Sequence, residues 1–113
     1  MELNKKSKIF IAGHNGMVGS SILNLFKKKK YKNIYTRDRK SLDLLDQKKT
    51  IEYLKKTKPK YVIIAAAKVG GILANNNFKA DFIYQNLMIQ NNVIHASYLA
   101  GVKKLIFLGS SCI

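Results

Sequence analysis

Chemistry has few places to sit in this sequence. Of its 113 residues, one is cysteine, two are arginine and seven are glycine. Three of the glycines, Gly13, Gly16 and Gly19, form G-x-x-G-x-x-G directly after a short apolar run. This is a looser relative of the G-x-G-x-x-G turn that cradles a pyrophosphate. Gly13 would allow a tight turn, and Gly16 would let the backbone approach phosphate. Gly19 would let a helix lie close to a strand, with the N–H groups of its first turn facing the anion. Glycines alone are weak evidence, because turns use them anyway. The motif needs a strand before it and a helix after it.

About twenty residues beyond such a turn, at the end of the second strand, a dinucleotide site selects its cofactor. An acid there binds ribose hydroxyls, and an arginine accepts the extra phosphate of NADP. Arg37-Asp38-Arg39 carries both signals, and its arginines are the only two in the chain. The guanidinium fork binds two phosphate oxygens at once, which favours NADP(H) over NAD. Ser110, Ser111 and Cys112 follow an apolar run. By themselves these serines read as turn residues, and a lone cysteine reads as a small buried hydrophobe. Lys68 follows another apolar run, at a ligand-facing strand end. His95 has no acidic partner within helical reach and reads as packing or surface.

The elements that must position these residues alternate. Apolar runs at Lys8–Ala12, Asn33–Thr36, Tyr61–Ala67 and Lys104–Gly109 read as strands. Between them lie helical patterns. Met17–Lys30 has apolar residues at 18, 22, 23, 25 and 26. Asp46–Thr57 has Asp46 as N-cap, apolar positions 51 and 54, and Pro59 beyond its end. Asp81–Ala100 has Phe82, Leu87, Met88, Val93, Ile94 and Leu99 marking its core side, with Gly101 as the C′ residue. Strand–helix alternation of this kind predicts an α/β fold with a parallel, doubly wound sheet.

Composition narrows the partners. An apolar fraction of 47% is ordinary for a globular chain, and no apolar run approaches the roughly 18 residues of a membrane span. The apolar run at Ile9–Ala12 is too short for a signal peptide, and a single cysteine allows no internal disulfide; both point to the cytoplasm. A net charge of +15 raises nucleic-acid binding. However, 19 of the 21 cations are lysines spread along the chain without interleaved aromatics. Neither a nucleic-acid nor a membrane partner is therefore expected.

Four segments together are more specific. They are AGHNGMVG at 12–19, AAAKVGGI at 65–72, ADFIYQN at 80–86 and LGSSCI at 108–113. With them, nearly the whole chain from Lys8 resembles the N-terminal part of the GDP-L-fucose synthases, extended short-chain dehydrogenase/reductases. The resemblance implies an NAD(P)-binding Rossmann fold and an NADP-dependent oxidoreductase/epimerase. Such an enzyme acts on GDP-4-keto-6-deoxymannose, by 3,5-epimerisation and 4-reduction, and is a homodimer when complete. It implies Ser110 as a catalytic serine on the substrate's keto oxygen and Cys112 as one of two epimerisation acid/base residues. For the cofactor it implies the turn residues Gly13, Asn15, Gly16, Met17, Val18 and Gly19, with Arg37 and Arg39. Asp43 and Leu44 would lie against the adenine, and Ala65, Ala66 and Lys68 along the cofactor's centre.

The departures are equally definite. Asn15 stands where some relatives carry arginine. No Tyr-x-x-x-Lys occupies a catalytic position, and the partner histidine is missing. A doubly wound domain has about six strands, so the sequence is expected to end mid-domain, after the fourth strand, without its substrate-binding part. Another sugar-nucleotide epimerase or dehydratase of the same superfamily, or a noncatalytic dinucleotide-binding module, remains the alternative.

Overall fold

Among the described residues there are four short strands: β1 (Ile9–Ala12), β2 (Ile34–Tyr35), β3 (Tyr61–Ile64) and β4 (Lys104–Phe107). Three described helices alternate with them: α1 (Met17–Lys28), α2 (Gln47–Thr57) and α3 (Lys79–Ala100). The computed structural model describes residues 4–14, 16–38, 40–65 and 79–108. The expected strand residues Ala66, Ala67 and Gly109 lie outside them, as does the side chain of Phe82.

All strand pairs are parallel, in the order β2-β1-β3-β4. The chain steps outward from β1 to β2 and then returns past β1 to β3. That reversal places a topological switch point between the carboxyl ends of β1 and β3, where open α/β sheets bind ligands. β1 and β3 are buried at every position because helices cover both faces. Phe10, Ala12, Val62 and Ile64 pack with Leu54 of α2 and with Val93 and Ala96 of α3. Ile9, Ile11, Tyr61 and Ile63 face α1 through Ile22, Leu23 and Phe26. The result is three layers, α/β/α.

Helix ends follow local chemistry. The Asp46 carboxylate accepts the Lys49 N–H at 3.1 Å, as an N-cap should. Gly101 takes φ +76°, and the Val102 N–H reaches the Ser97 carbonyl to close α3. At the ends of α1 and α2 the same left-handed conformation falls on Lys30 and Lys58.

Two helix faces differ from expectation. On α1 the inward stripe is Gly19, Ile22, Leu23 and Phe26, while Val18 and Leu25 are exposed. At 3.6 residues per turn, positions 18 and 25 lie about a quarter-turn away from that stripe. On α3, among the expected core residues whose side chains are described, only Val93 is fully buried; Leu87, Ile94 and Leu99 are exposed. The inward face is instead Asn92, Val93, Ala96 and Ser97, joined by Ile89 and Ala100. Small residues there let α3 lie close to α2 and the sheet, and the larger apolar residues are left outside.

Some of the lysines that are spread in sequence gather in space. Lys32 donates its N–H to the Lys5 carbonyl and Lys103 donates its to the Lys60 carbonyl, both at the amino ends of the strands. Helix ends at Lys27, Lys28, Lys55 and Lys56 arrive at the same edge, where cations favour the helix dipoles. The switch point lies at the opposite edge.

Candidate dinucleotide-binding site

At the carboxyl end of β1 the chain turns through Gly13, whose φ of +92° only glycine adopts without strain. Gly16 then caps α1 in an extended conformation, with no side chain hydrogen-bonded to the helix end. The first-turn N–H groups therefore point out of the helix without a capping side chain, as an anion site requires. No acid sits in that first turn to compete for them.

The two later glycines have different jobs. A Cβ on Gly19 would lie 1.9 Å from the Gly13 carbonyl oxygen and 2.7 Å from its carbon. Helix and turn are thus in contact at a distance only glycine permits. A Cβ on Gly16 would meet the Gly13 oxygen at 3.5 Å and the Ala65 oxygen at 4.0 Å. Gly16 therefore sits in the crevice between the ends of β1 and β3, where the Ala65 N–H donates to the Ala12 carbonyl at 2.8 Å. Met17 and Val18, at the mouth of this crevice, are 87% and 54% exposed, a bare apolar lip.

Arg37 lies just past β2 on the α2 side of the sheet. Its guanidinium donates to the Thr36 carbonyl at 2.8 Å and stands 5.2 Å above the centre of the Tyr53 ring. Burial pushes the Tyr53 phenol up, against the opposing pull of Arg37. The contact is thus between a cation and a neutral ring.

Asp38, the acid that could have bound ribose hydroxyls, is engaged elsewhere. Its carboxylate accepts the Ser41 N–H at 2.8 Å, and its carbonyl accepts the N–H groups of Ser41 and Leu42. The bonds from Ser41, backbone first, hold the carboxyl below its ordinary value, with a smaller contribution from His14. Asp43 is used in the same way: its carboxylate accepts the Leu45 N–H at 3.0 Å. The neighbouring Leu44 packs against the core, and its carbonyl accepts the Nδ2–H of Asn92 at 2.8 Å. Asn92 is a buried side chain of α3 and pins the loop that carries Asp43 and Leu44.

The structure thus brings together Gly13, Gly16, Met17, Val18, Gly19 and Ala65 at the switch point, and sets Arg37, Asp43 and Leu44 along the β2 side. Asn15, Arg39, Ala66, Lys68, Ser110 and Cys112 lie outside the described residues. Sequence reasoning missed Tyr53 and Asn92. Tyr53 was findable, since 50, 53 and 54 share one helix face; Asn92 was not, because a polar residue inside α3 shows no periodic signal of its own.

A parallel α/β sheet with a glycine-lined crevice at its switch point is the frame of a dinucleotide domain, and residues 9–113 match the model of the NAD dependent epimerase/dehydratase family. The chain belongs to that family. It is 53% identical to GDP-L-fucose synthase 1 of Arabidopsis thaliana over 110 residues, 97% of this chain and 34% of the relative. It is 52% identical to the GDP-L-fucose synthase of Sinorhizobium fredii, over all of this chain and 36% of that protein. Among solved structures, the GDP-mannoheptose C4 reductase of Campylobacter jejuni, with NADP bound, superimposes with a TM-score of 0.89. Its identity is 44%, over 96% of this chain and 34% of the reductase. The chain spans about a third of the length of these relatives.

Proposed function

We propose that these residues are the N-terminal part of the dinucleotide-binding domain of a GDP-L-fucose synthase. The parent protein would convert GDP-4-keto-6-deoxy-D-mannose to GDP-L-fucose by 3,5-epimerisation and NADPH-dependent 4-reduction, with its substrate-binding part outside this chain. The carrying observation is the crevice at Gly16 and Gly19, beside an Arg37 turned outward and an Asp38 held in a turn. A 2′-phosphate matches the first and the second leaves ribose hydroxyls without an acid, which favours NADP(H) over NAD. The sugar rests on the named relatives.

NADPH, when bound, supplies the hydride. The residues of this chain would do the rest that lies within it. First-turn N–H groups of α1 hold the pyrophosphate, and Arg37, with Arg39, holds the ribose phosphate. Ser110 hydrogen-bonds the C4 keto oxygen. That carbonyl makes the C3 and C5 protons acidic, so a thiolate at Cys112 can take one, the bonding pair passing into an enolate. A second acid, from outside this chain, returns a proton on the opposite face. The tyrosine that protonates the C4 oxygen after reduction also comes from outside it. The 113 residues alone should therefore show no turnover.

A plain C4 reductase, such as the heptose enzyme, is the rival reading. Cys112 favours the epimerase, since reduction alone needs no acid/base thiol. The full-length protein, given GDP-4-keto-6-deoxymannose in D2O without NADPH, should incorporate deuterium at C3 and C5. NADPH oxidation with no deuterium wash-in would select the reductase instead. Changing Arg37 and Arg39 to alanine should weaken NADPH far more than NADH; equal losses would remove the NADP assignment.

Assembly follows from α3. Tyr84, Leu87, Ile94 and Tyr98 form an exposed stripe at spacings of three, seven and four, on the side opposite Val93 and Ala96. In this reading the stripe pairs with its copy in a homodimer. No helix among the described residues is long and apolar enough to cross a membrane, and the reading is of a cytoplasmic enzyme with a small-molecule substrate.

A further inference from the structure

We infer that Tyr53 is a positioning residue for cofactor choice: its ring, seated on Phe10, holds the Arg37 guanidinium at the carboxyl edge of the sheet, where it meets the phosphate that separates NADPH from NADH. This rests on the dinucleotide reading above.

The arrangement is built from register. Phe10 and Tyr35 are partners across β1 and β2. Successive strand residues alternate faces, so Arg37, two beyond Tyr35, falls on the same side of the sheet. That side is covered by α2, where Tyr53 shares a face with the buried Thr50 and Leu54. The Tyr53 ring lies 5.3 Å from the Phe10 ring, and Arg37 lies 5.2 Å above the Tyr53 ring. A core residue, a helix residue and a surface cation thus form one column.

The column matters because Arg37 is exposed. A free arginine at a strand end samples many rotamers, and a ligand that needs one of them must bear the cost of ordering it. Here the ring face and the Thr36 carbonyl restrict the side chain from two directions. The planar fork keeps its remaining donors for an anion. The Tyr53 hydroxyl takes no part in this: it is buried and has no hydrogen-bond partner among the described residues. The aromatic ring does the positioning, so phenylalanine should serve as well as tyrosine, and an aliphatic residue should not.

The test is the ratio of NADPH to NADH dissociation constants, measured by fluorescence titration on the full-length protein. Four forms are compared: unchanged, Arg37→Ala, Tyr53→Phe and Tyr53→Leu. Arg37→Ala should abolish the preference for NADPH. Tyr53→Leu should erode it, by up to about tenfold, the worth of fixing one flexible side chain, with NADH binding unchanged. Tyr53→Phe should match the unchanged protein. If Tyr53→Leu keeps the ratio, or weakens both cofactors equally, Tyr53 is only a packing residue and the inference falls. If Arg37→Ala keeps the ratio, the phosphate reading itself falls, and this inference with it.

Discussion

β1 and β3 are buried at all four of their positions, whereas β4, fully paired with β3, leaves Lys104 and Phe107 exposed and Leu105 and Ile106 half-covered. The same contrast divides the helices. α1 and α2 turn apolar stripes inward, with Met17, Val18 and Leu25 of α1 left exposed, while α3 keeps Tyr84, Leu87, Ile94, Tyr98 and Leu99 in solvent. The glycine turn and the Arg37 column belong to the covered side. That side shares its core with the inner face of α3, at Asn92, Val93 and Ala96, and has its own caps and a site whose parts touch one another. Among the described residues, nothing covers the exposed apolar side chains of β4 and α3. The relatives are about three times as long, and further chain of that kind is available to cover such surface. The difference teaches that the glycine turn and the Arg37 column are held by contacts among the described residues, whereas the exposed apolar residues of β4 and α3 are not.

Breaking the covered side should cost most. Gly19→Ala forces a Cβ onto the Gly13 backbone at 1.9 Å, and backbone cannot step aside as a flexible side chain would. A loss of about 3 kcal/mol or more is expected in urea unfolding, at the upper end for overpacking, together with loss of NADPH binding. A stable Gly19→Ala protein with unchanged cofactor affinity would show that helix and turn are not in the contact described. Asn92→Ala comes next. It leaves the Leu44 carbonyl without its buried donor, at a cost of about 2 kcal/mol. Faster amide exchange should be confined to the loop at 42–46; uniform exchange would mean that Asn92 does not pin that loop.

A change on the open side should act differently. Ile94→Lys alters an exposed position, so the fold itself should move by no more than about 0.5 kcal/mol. Self-association should weaken by about 2 kcal/mol per buried isoleucine, seen as a shift toward monomer in sedimentation of the full-length protein. Unchanged sedimentation would clear α3 of a role in assembly.

The same contrast explains what was legible in the sequence. The strand–helix order, the Asp46 cap, the Gly101 terminus and the G-x-x-G-x-x-G turn were readable because each depends on residues within one turn or strand of one another. The core face of α3 was not. Its large apolar residues read as core, but a helix that covers a sheet on one side and is apolar on the other offers two candidate faces, and Ala96 and Ser97 mark the inner one only by being small. The left-handed caps at Lys30 and Lys58 gave no glycine to read. Arg37 is singled out by its distance from the glycines, but its partner Tyr53 is sixteen residues further on, brought there by the crossover through α2. The gathering of lysines at one edge likewise exists only once parallel strands and antiparallel-running helices share their ends.

The smallest expected effect concerns Asp38, and it sharpens the case for Arg37. The Asp38 carboxyl sits below its ordinary value of 3.8 because the ionised form accepts hydrogen bonds from Ser41. A carboxyl whose folded pKa is depressed contributes stability that is fully present above the unfolded value and is lost as pH falls through the folded one. The turn at 38–42 should therefore be indifferent to pH near neutrality and should loosen only in acid, below about pH 3.8. Because the group is fully exposed, the change is local. The Ser41 amide resonance should report it in an NMR titration, and Asp38→Asn should remove the transition. In that variant cofactor preference should stay with NADPH if, as proposed, the acid is a turn residue and Arg37 meets the phosphate. A transition near or above the ordinary carboxylate value would show that Ser41 does not hold the carboxylate, and a preference that moves with Asp38→Asn would show that the carboxylate reaches the ribose and that both residues govern cofactor choice.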